Sequence, residues 1–285
     1  MKTRILMLGL VLSIMTISCT KKDATDSTVI SPDEATINAK IDAVNEDVSR
    51  IIEEQFDATQ ASPLGRGIEA APPSCPTISR TPAFTQTLLV GDNVTKVIDF
   101  GSNCPRNGNT LSGVIQISFV YDPSATSHTV TYTFIDFYHN AKKFAGTKTF
   151  VKSKISTPAN TAIHPVVVMN MNMTMTLPDG RTFTRVGTRT RELISGSVAT
   201  ATAIWQVVGN WTTTFPNNSV QTSTITTPLT IKTTCIASGD SPIVSGIISF
   251  VRNGNTATLN YGAGLCDRLA VFTYNGIAYN IILGN

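Results

Sequence analysis

Residues 166–177 read Val-Val-Val-Met-Asn-Met-Asn-Met-Thr-Met-Thr-Leu, and this stretch decides the fold class. Met169, Met171, Met173, Met175 and Leu177 fall on one side, with Asn170, Asn172, Thr174 and Thr176 on the other. That is the period-two pattern of a strand with one buried face. Asp179-Gly180 follows, a pair suited to the positive φ of a tight hairpin turn, and residues 181–193 return as a second strand. Outward from this hairpin the same signals recur. Residues 114–121 place Ile115, Ile117, Phe119 and Tyr121 on one face, and 129–138 and 144–155 flank a turn at Asn140-Ala141. Residues 203–215 and 219–233 are separated by Pro216-Asn217-Asn218. The last segments, 243–252, 256–261, 269–274 and 277–283, carry Asn-Gly turns at 253–254 and 275–276. Strands at this spacing predict an all-β body, mostly antiparallel, arranged as a meander or sandwich. One helical period precedes them and none interrupts them, which argues against a parallel α/β fold.

A short motif recurs near both ends of the body. Residues 95–104 read Thr-Lys-Val-Ile-Asp-Phe-Gly-Ser-Asn-Cys, and 256–266 read Thr-Ala-Thr-Leu-Asn-Tyr-Gly-Ala-Gly-Leu-Cys. Each has a β-type run, an Asp or Asn, an aromatic residue, Gly and then Cys, with a further Cys upstream. Asp99 suits a cap for the aromatic-Gly turn. Four cysteines allow three pairings. The repeat favours Cys75–Cys104 and Cys235–Cys266, each closing a loop of about 30 residues worth about 3–4 kcal/mol. No Cys-x-x-Cys spacing favours zinc.

The N-terminus carries Lys2 and Arg4, then an apolar run over 5–17 and Ile17-Ser18-Cys19. Residues 1–18 read as a secretory signal peptide. The run is too short to span a bilayer, which takes about 20 residues. The end of the run resembles a bacterial lipobox. That resemblance implies cleavage before Cys19 and acylation of its thiol, giving a membrane anchor. Residues 19–30 are a polar tether. Ser31-Pro32-Asp33-Glu34 has the form of an N-cap, an N1 proline and a capping box. Ile37, Ile41, Val44, Val48 and Ile51 then define one face of an amphipathic helix over 31–58. Its other face carries Lys40, Asp42, Glu46, Asp47, Arg50 and Glu53. The expectation is a helix packed on the β-body, with a partner-docking helix as the alternative. An acidic polar face disfavours a membrane-surface helix. Residues 59–82 hold seven Pro and Gly and read as a linker, and 83–285 form the β-rich body with the two end repeats, as one domain or two.

Charged residues make up only 14% of the chain, and the net charge of +3 hides an asymmetry. Residues 20–74 hold 5 Lys and Arg against 11 Asp and Glu, while 75–285 hold 15 against 8. The basic excess is too dilute for nucleic-acid binding. The order of features is a lipobox, an acidic helix, Cys-Pro-Thr at 75–77, Asp-Phe-Gly-x-x-Cys at 99–104, Gly-Thr-Lys-Thr at 146–149, Asp-Gly-Arg-Thr at 179–182, Thr-Arg-Thr-Arg-Glu at 188–192, Thr-Thr-Pro-Leu at 226–229 and Asn-Tyr-Gly-(x)3-Cys-Asp at 260–267. The set resembles a family of uncharacterised lipoproteins of Bacteroidetes-type bacteria across nearly the whole mature chain. The resemblance implies an exported, lipid-anchored envelope protein, at the outer membrane, and implies no activity.

Candidate chemistry is sparse. His128, His139 and His164 stand near turns or proline, outside metal or triad spacing, and read as loop or surface residues. No catalytic residue, metal site or cofactor is expected. The body carboxylates are scattered, so a carbohydrate-active hydrolase remains only as an alternative. The cationic pattern is denser. Arg181, Arg185, Arg189 and Arg191 share one strand face, and Lys148, Lys152 and Lys154 share another. If Asn170 and Asn172 lie on the cationic side, the three strands make a basic polar face backed by methionines. Such a face would suit an anionic glycan or lipid. The bland reading is a solvated face that discourages edge aggregation. Trp205 and Trp211 share parity with Val207 and Phe215 and read as core. The function expected is a non-catalytic structural or binding role in the envelope. A hydrophobic-ligand carrier with a half-barrel sheet is the alternative, and it requires a Met-lined cavity open to solvent. The sequence sets neither the ligand nor the oligomeric state.

Overall fold

The computed structural model describes residues 29–64, 75–106, 108–197, 202–237 and 240–283. The expected signal peptide, most of the expected tether and Cys19 lie outside the described residues. One long helix, α1 (Pro32–Ala61), precedes the strands β1 (Thr77–Thr81), β2 (Asn93–Asp99), β3 (Cys104–Arg106), β4 (Asn109–Val120), β5 (Ser127–His139), β6 (Lys142–Ile155), β7 (His164–Thr176), β8 (Thr182–Ser195), β9 (Ile204–Thr214) and β10 (Val220–Lys232). A one-turn helix, α2 (Thr234–Ala237), leads to β11 (Ile243–Arg252), β12 (Asn255–Ala263), β13 (Leu269–Tyr274) and β14 (Ile277–Ile282). The strands form one antiparallel sheet in chain order from β1 to β14, with β3 set aside as a short hairpin on β4. The expected all-β meander and its N-terminal helix are both present, and among the described residues the strands form one sheet rather than a sandwich.

The helix begins as its sequence demands. The Ser31 hydroxyl accepts from the Glu34 amide, and the Glu34 carboxylate accepts from the Ser31 amide, both at 3.2 Å. It runs to Ala61, three residues past the expected end, and β1 occupies 77–81, so the expected linker over 59–82 is ordered at both ends.

The sheet curls around this helix. Asp42 of α1 accepts hydrogen bonds from Arg185 and Arg189 on β8 and, at 3.4 Å, from the Tyr261 hydroxyl on β12. Strands four places apart would stand about 19 Å from each other in a flat sheet. One carboxylate meets both because the sheet is wrapped about the helix axis. At Gly187, in mid-β8, an added Cβ would sit 2.4 Å from the Cβ of Trp211 on β9. Its missing side chain lets the two strands close over the buried indole, as glycines at sharp sheet bends do.

The concave face is the core. Met169, Met171, Met173 and Met175 are buried there with Phe137, Phe144, Phe150, Trp205 and Trp211, together with Ile41, Val48, Ile52 and Phe56 from α1. The convex face is rich in threonine. Hydroxyl pairs bridge neighbouring strands at Thr131–Thr149, Thr133–Thr147 and Thr174–Thr184.

The two cysteine pairs are Cys75–Cys104 and Cys235–Cys266, as the repeat suggests. The repeated motif has one local geometry. Asp99 Oδ1 accepts from the Gly101 amide at 2.8 Å, and Asn260 Oδ1 accepts from the Gly262 amide at 2.9 Å. The intervening Phe100 and Tyr261 are each buried.

Candidate functional site

The strand faces that carry the cations turn inward. Register pairs Arg189 with Met169, Arg185 with Met173 and Lys148 with Met171. Directly opposed residues share a face, so the cations stand among the methionines, and Asn170 and Asn172 lie on the exposed side. This corrects the expected polar face backed by methionines. Arg181 and Lys154 do not join the group. Arg181 is exposed and donates to Asp179 in its own turn at 2.7 Å, and Lys154 is exposed near the end of β6.

Five cations remain, and α1 offers each an acidic or amide partner along its length. Arg185 reaches Asp42 and, at 2.7 Å, the Asn38 side chain. Arg189 donates to the same Asp42 oxygen. Arg191 donates to Glu46 at 3.2 Å and also reaches Glu53. Lys152 donates to Asp57 at 2.6 and 2.7 Å, and Lys148 donates to the Asn45 side chain. Farther along the sheet, Lys96 donates to Gln55 and Thr59, and Arg252 donates to Glu34. Indole faces lie beneath three of the guanidiniums: Trp211 at 4.0 Å from Arg189 and 5.0 Å from Arg185, and Trp205 at 4.4 Å from Arg191. Burying so many charges is tolerable only because each meets an opposite charge or an acceptor. Asp42, Glu46 and Glu53, read as the polar face opposite the helix's apolar stripe, are therefore buried. Burial raises the Glu53 carboxyl above its ordinary range, although Arg191 and Lys152 pull the other way.

The carrier alternative needed a hollow, Met-lined interior. The four methionines retain 7% exposure or less, and α1 fills the space before them. The sheet that could wrap a lipid wraps the protein's own helix.

A different site lies at the mouth of the curl. A cavity of about 300 Å³ is bounded by Lys40, Val44 and Asp47 of α1, by the β3–β4 and β5–β6 turns at Asn109, His139 and Lys142, and by Ile236, Ser241 and Arg268. Each disulfide steadies one wall. Cys104 opens the β3–β4 hairpin, while Cys235 and Cys266 join α2 to the segment just before Arg268. Asn140 ties the two turns together, accepting from the Thr110 amide at 2.9 Å and donating to Asn109 at 3.0 Å.

His139 is one of two histidines that sequence reasoning misplaced. It is 4% exposed, and its Nε2 stands 3.0 Å from Asp47 Oδ2. Burial works to raise the Asp47 carboxyl, but the His139 hydrogen bond and the charge of Arg50 outweigh it and hold the group below its ordinary value. A bulge hid this position. In β5, Val130, Tyr132 and Phe134 face inward, and register then shifts between Thr133 and Phe137. Asp136 adopts φ 44° there, opposite Gly113 at φ 78°. The inward set resumes at Phe137 and His139, where unbroken alternation points to Asp136 and Tyr138. The one available signal was Phe134 and Phe137 standing three apart.

The other histidines are also placed. His164, expected in a loop or at the surface, is instead buried and pairs with Glu192 at 2.9 Å, and the ring of His128 lies 5.1 Å from that of Phe56. Trp205 and Trp211 belong to the core, as expected. Among the described residues no group of three or more His, Cys, Asp or Glu is arranged to hold a metal ion. No described helix is long and apolar enough to cross a membrane. Comparison with protein-family models, with curated proteins and with solved structures yields no match.

Proposed function

We propose that the chain is an exported protein, anchored to the outer membrane of the cell envelope through an acylated Cys19, whose role is structural or binding rather than catalytic. One observation carries the non-catalytic part. The dense cation set of the body, the feature richest in potential chemistry, is spent on the helix: Arg185, Arg189, Arg191 and Lys152 each hold an acidic partner on α1. Such a network builds a scaffold and leaves binding to the rim. The two disulfides support export, because such bonds persist in oxidising compartments. The positive n-region, the short apolar run and Ser18-Cys19 support the anchor. Lipidation would lie close to the folded unit, since Ile30 is already buried.

The test is fractionation with acyl labelling. Wild-type protein is expected to take up labelled fatty acid and sediment with envelope membranes, and Cys19→Ala to lose the label and appear in the soluble exported fraction. A variant that still labels and sediments like wild type overturns the anchor.

A further inference from the structure

We infer that the cavity at the mouth of the curled sheet binds a small polyhydroxylated acid, a sugar acid or sugar phosphate, with its oxyanion between Lys40 and Lys142. At about 300 Å³ the cavity stands at the small end of ligand sites, which suits a molecule of monosaccharide size. Its charges are unbalanced toward the positive. Lys40 of α1 and Lys142 of β6 both line it, and no ion pair involves either among the described residues. They are near enough to oppose each other: burial lowers the Lys142 ammonium, and the charge of Lys40 lowers it further. Arg268 adds a third cation at the rim, its Nε held by the Leu283 carbonyl at 3.0 Å. Two aspartates also line the cavity, Asp47 and Asp240. Asp47 is already engaged by Arg50 at 2.7 Å and by His139.

The second observation is the composition of the wall. His139 lines the cavity with its Nε2 held 3.0 Å from Asp47 Oδ2. Val44, Ile236 and Pro242 supply apolar surface for a sugar ring. Lys40 and Lys142 would then share one oxyanion in place of their mutual repulsion.

This inference names the site of the binding role proposed above. It stands on the cavity rather than the anchor, so a failed acylation assay leaves it intact, and failed binding leaves the anchor intact. The test is calorimetric titration of the detergent-solubilised full-length protein with glucuronate, glucose 6-phosphate and glucose. At least one acid is expected to bind about tenfold more tightly than glucose. The preferred acid distinguishes carboxylate from phosphate. Affinity is expected to fall between about 0.05 and 0.5 M NaCl as screening grows. The double variant Lys40→Gln/Lys142→Gln is expected to lose about tenfold or more in affinity with its melting temperature held, and Lys142→Arg in the wild-type background to retain binding. Acids that bind no better than glucose, or a double variant that binds like wild type, overturn the assignment.

Discussion

At the scale of single residues, Asp42 bears the heaviest duty. One oxygen takes two buried guanidiniums, and the other faces the Tyr261 hydroxyl. Asp42→Ala would strand two arginines inside the protein, and breaking a buried pair from one side costs about 3–5 kcal/mol. Urea unfolding is expected to show that loss, whereas Arg181→Ala, at an exposed turn, should shift stability by less than about 0.5 kcal/mol. Lys148 sets a pH dependence. Burial first, then the charges of Arg189 and Arg185, push its ammonium down to about 7, with Glu46 and Asp42 opposing. Unfolded, the lysine titrates near 10.4. Between these values the unfolded chain holds more protons, so the penalty fades and stability rises as pH climbs through that window. Urea midpoints are expected to rise from pH 7 to 9 and to rise less in Lys148→Met. Lys96, pushed down to about 8 by burial and by Arg80, keeps part of the slope. These roles were half legible. Period two grouped Arg185, Arg189 and Arg191 correctly on one face. It could not say that the face was the methionine side, because a cation there is unfavourable until a partner arrives from a helix some 140 residues away in sequence.

At the scale of elements, α1 shows why its polar face was misread. A helix with apolar residues on one stripe and acids elsewhere has the pattern of a surface helix. Here the acids face an inward-turned basic sheet, and burial extends around most of the helix circumference in its central turns. Its start, by contrast, was fully legible, because a capping box is a local device whose residues are adjacent in sequence. The disulfide pairing was legible for a related reason: two copies of one turn motif each bring their own cysteine. Replacing either pair by serine is expected to cost about 3 kcal/mol in urea unfolding, since each closes a loop of similar length. Non-reducing peptide mapping should recover Cys75–Cys104 and Cys235–Cys266, and crossed pairs would contradict this architecture. The β5 bulge marks the limit of such reading. Inserting one unpaired residue reverses every later side chain of the strand, and it moved His139 from the outside to the cavity.

At the scale of the whole molecule, the strands from β4 onward and their meander order followed from alternation and Asn-Gly turns, whereas β1, read as linker, and the curl did not. Curvature depends on where strands close over one another, as at Gly187 against Trp211, and that is a relation between neighbours rather than a pattern along one strand. The cavity depends on it too, because its walls come from turns far apart in sequence that only a wrapped sheet brings to the same end of α1. Arg252 joins this architecture to the segment that leads into α1. Its guanidinium donates to the Val29 carbonyl at 3.0 Å, and also to Glu34 and to Gln221. If the N-terminus is fixed in a bilayer, any tug on the protein enters at Val29 and meets this knot first. The rope is spliced to the innermost timber of the hull, so mechanical load reaches the helix before any outer strand, and the stress an envelope protein feels would be borne by its most deeply buried part.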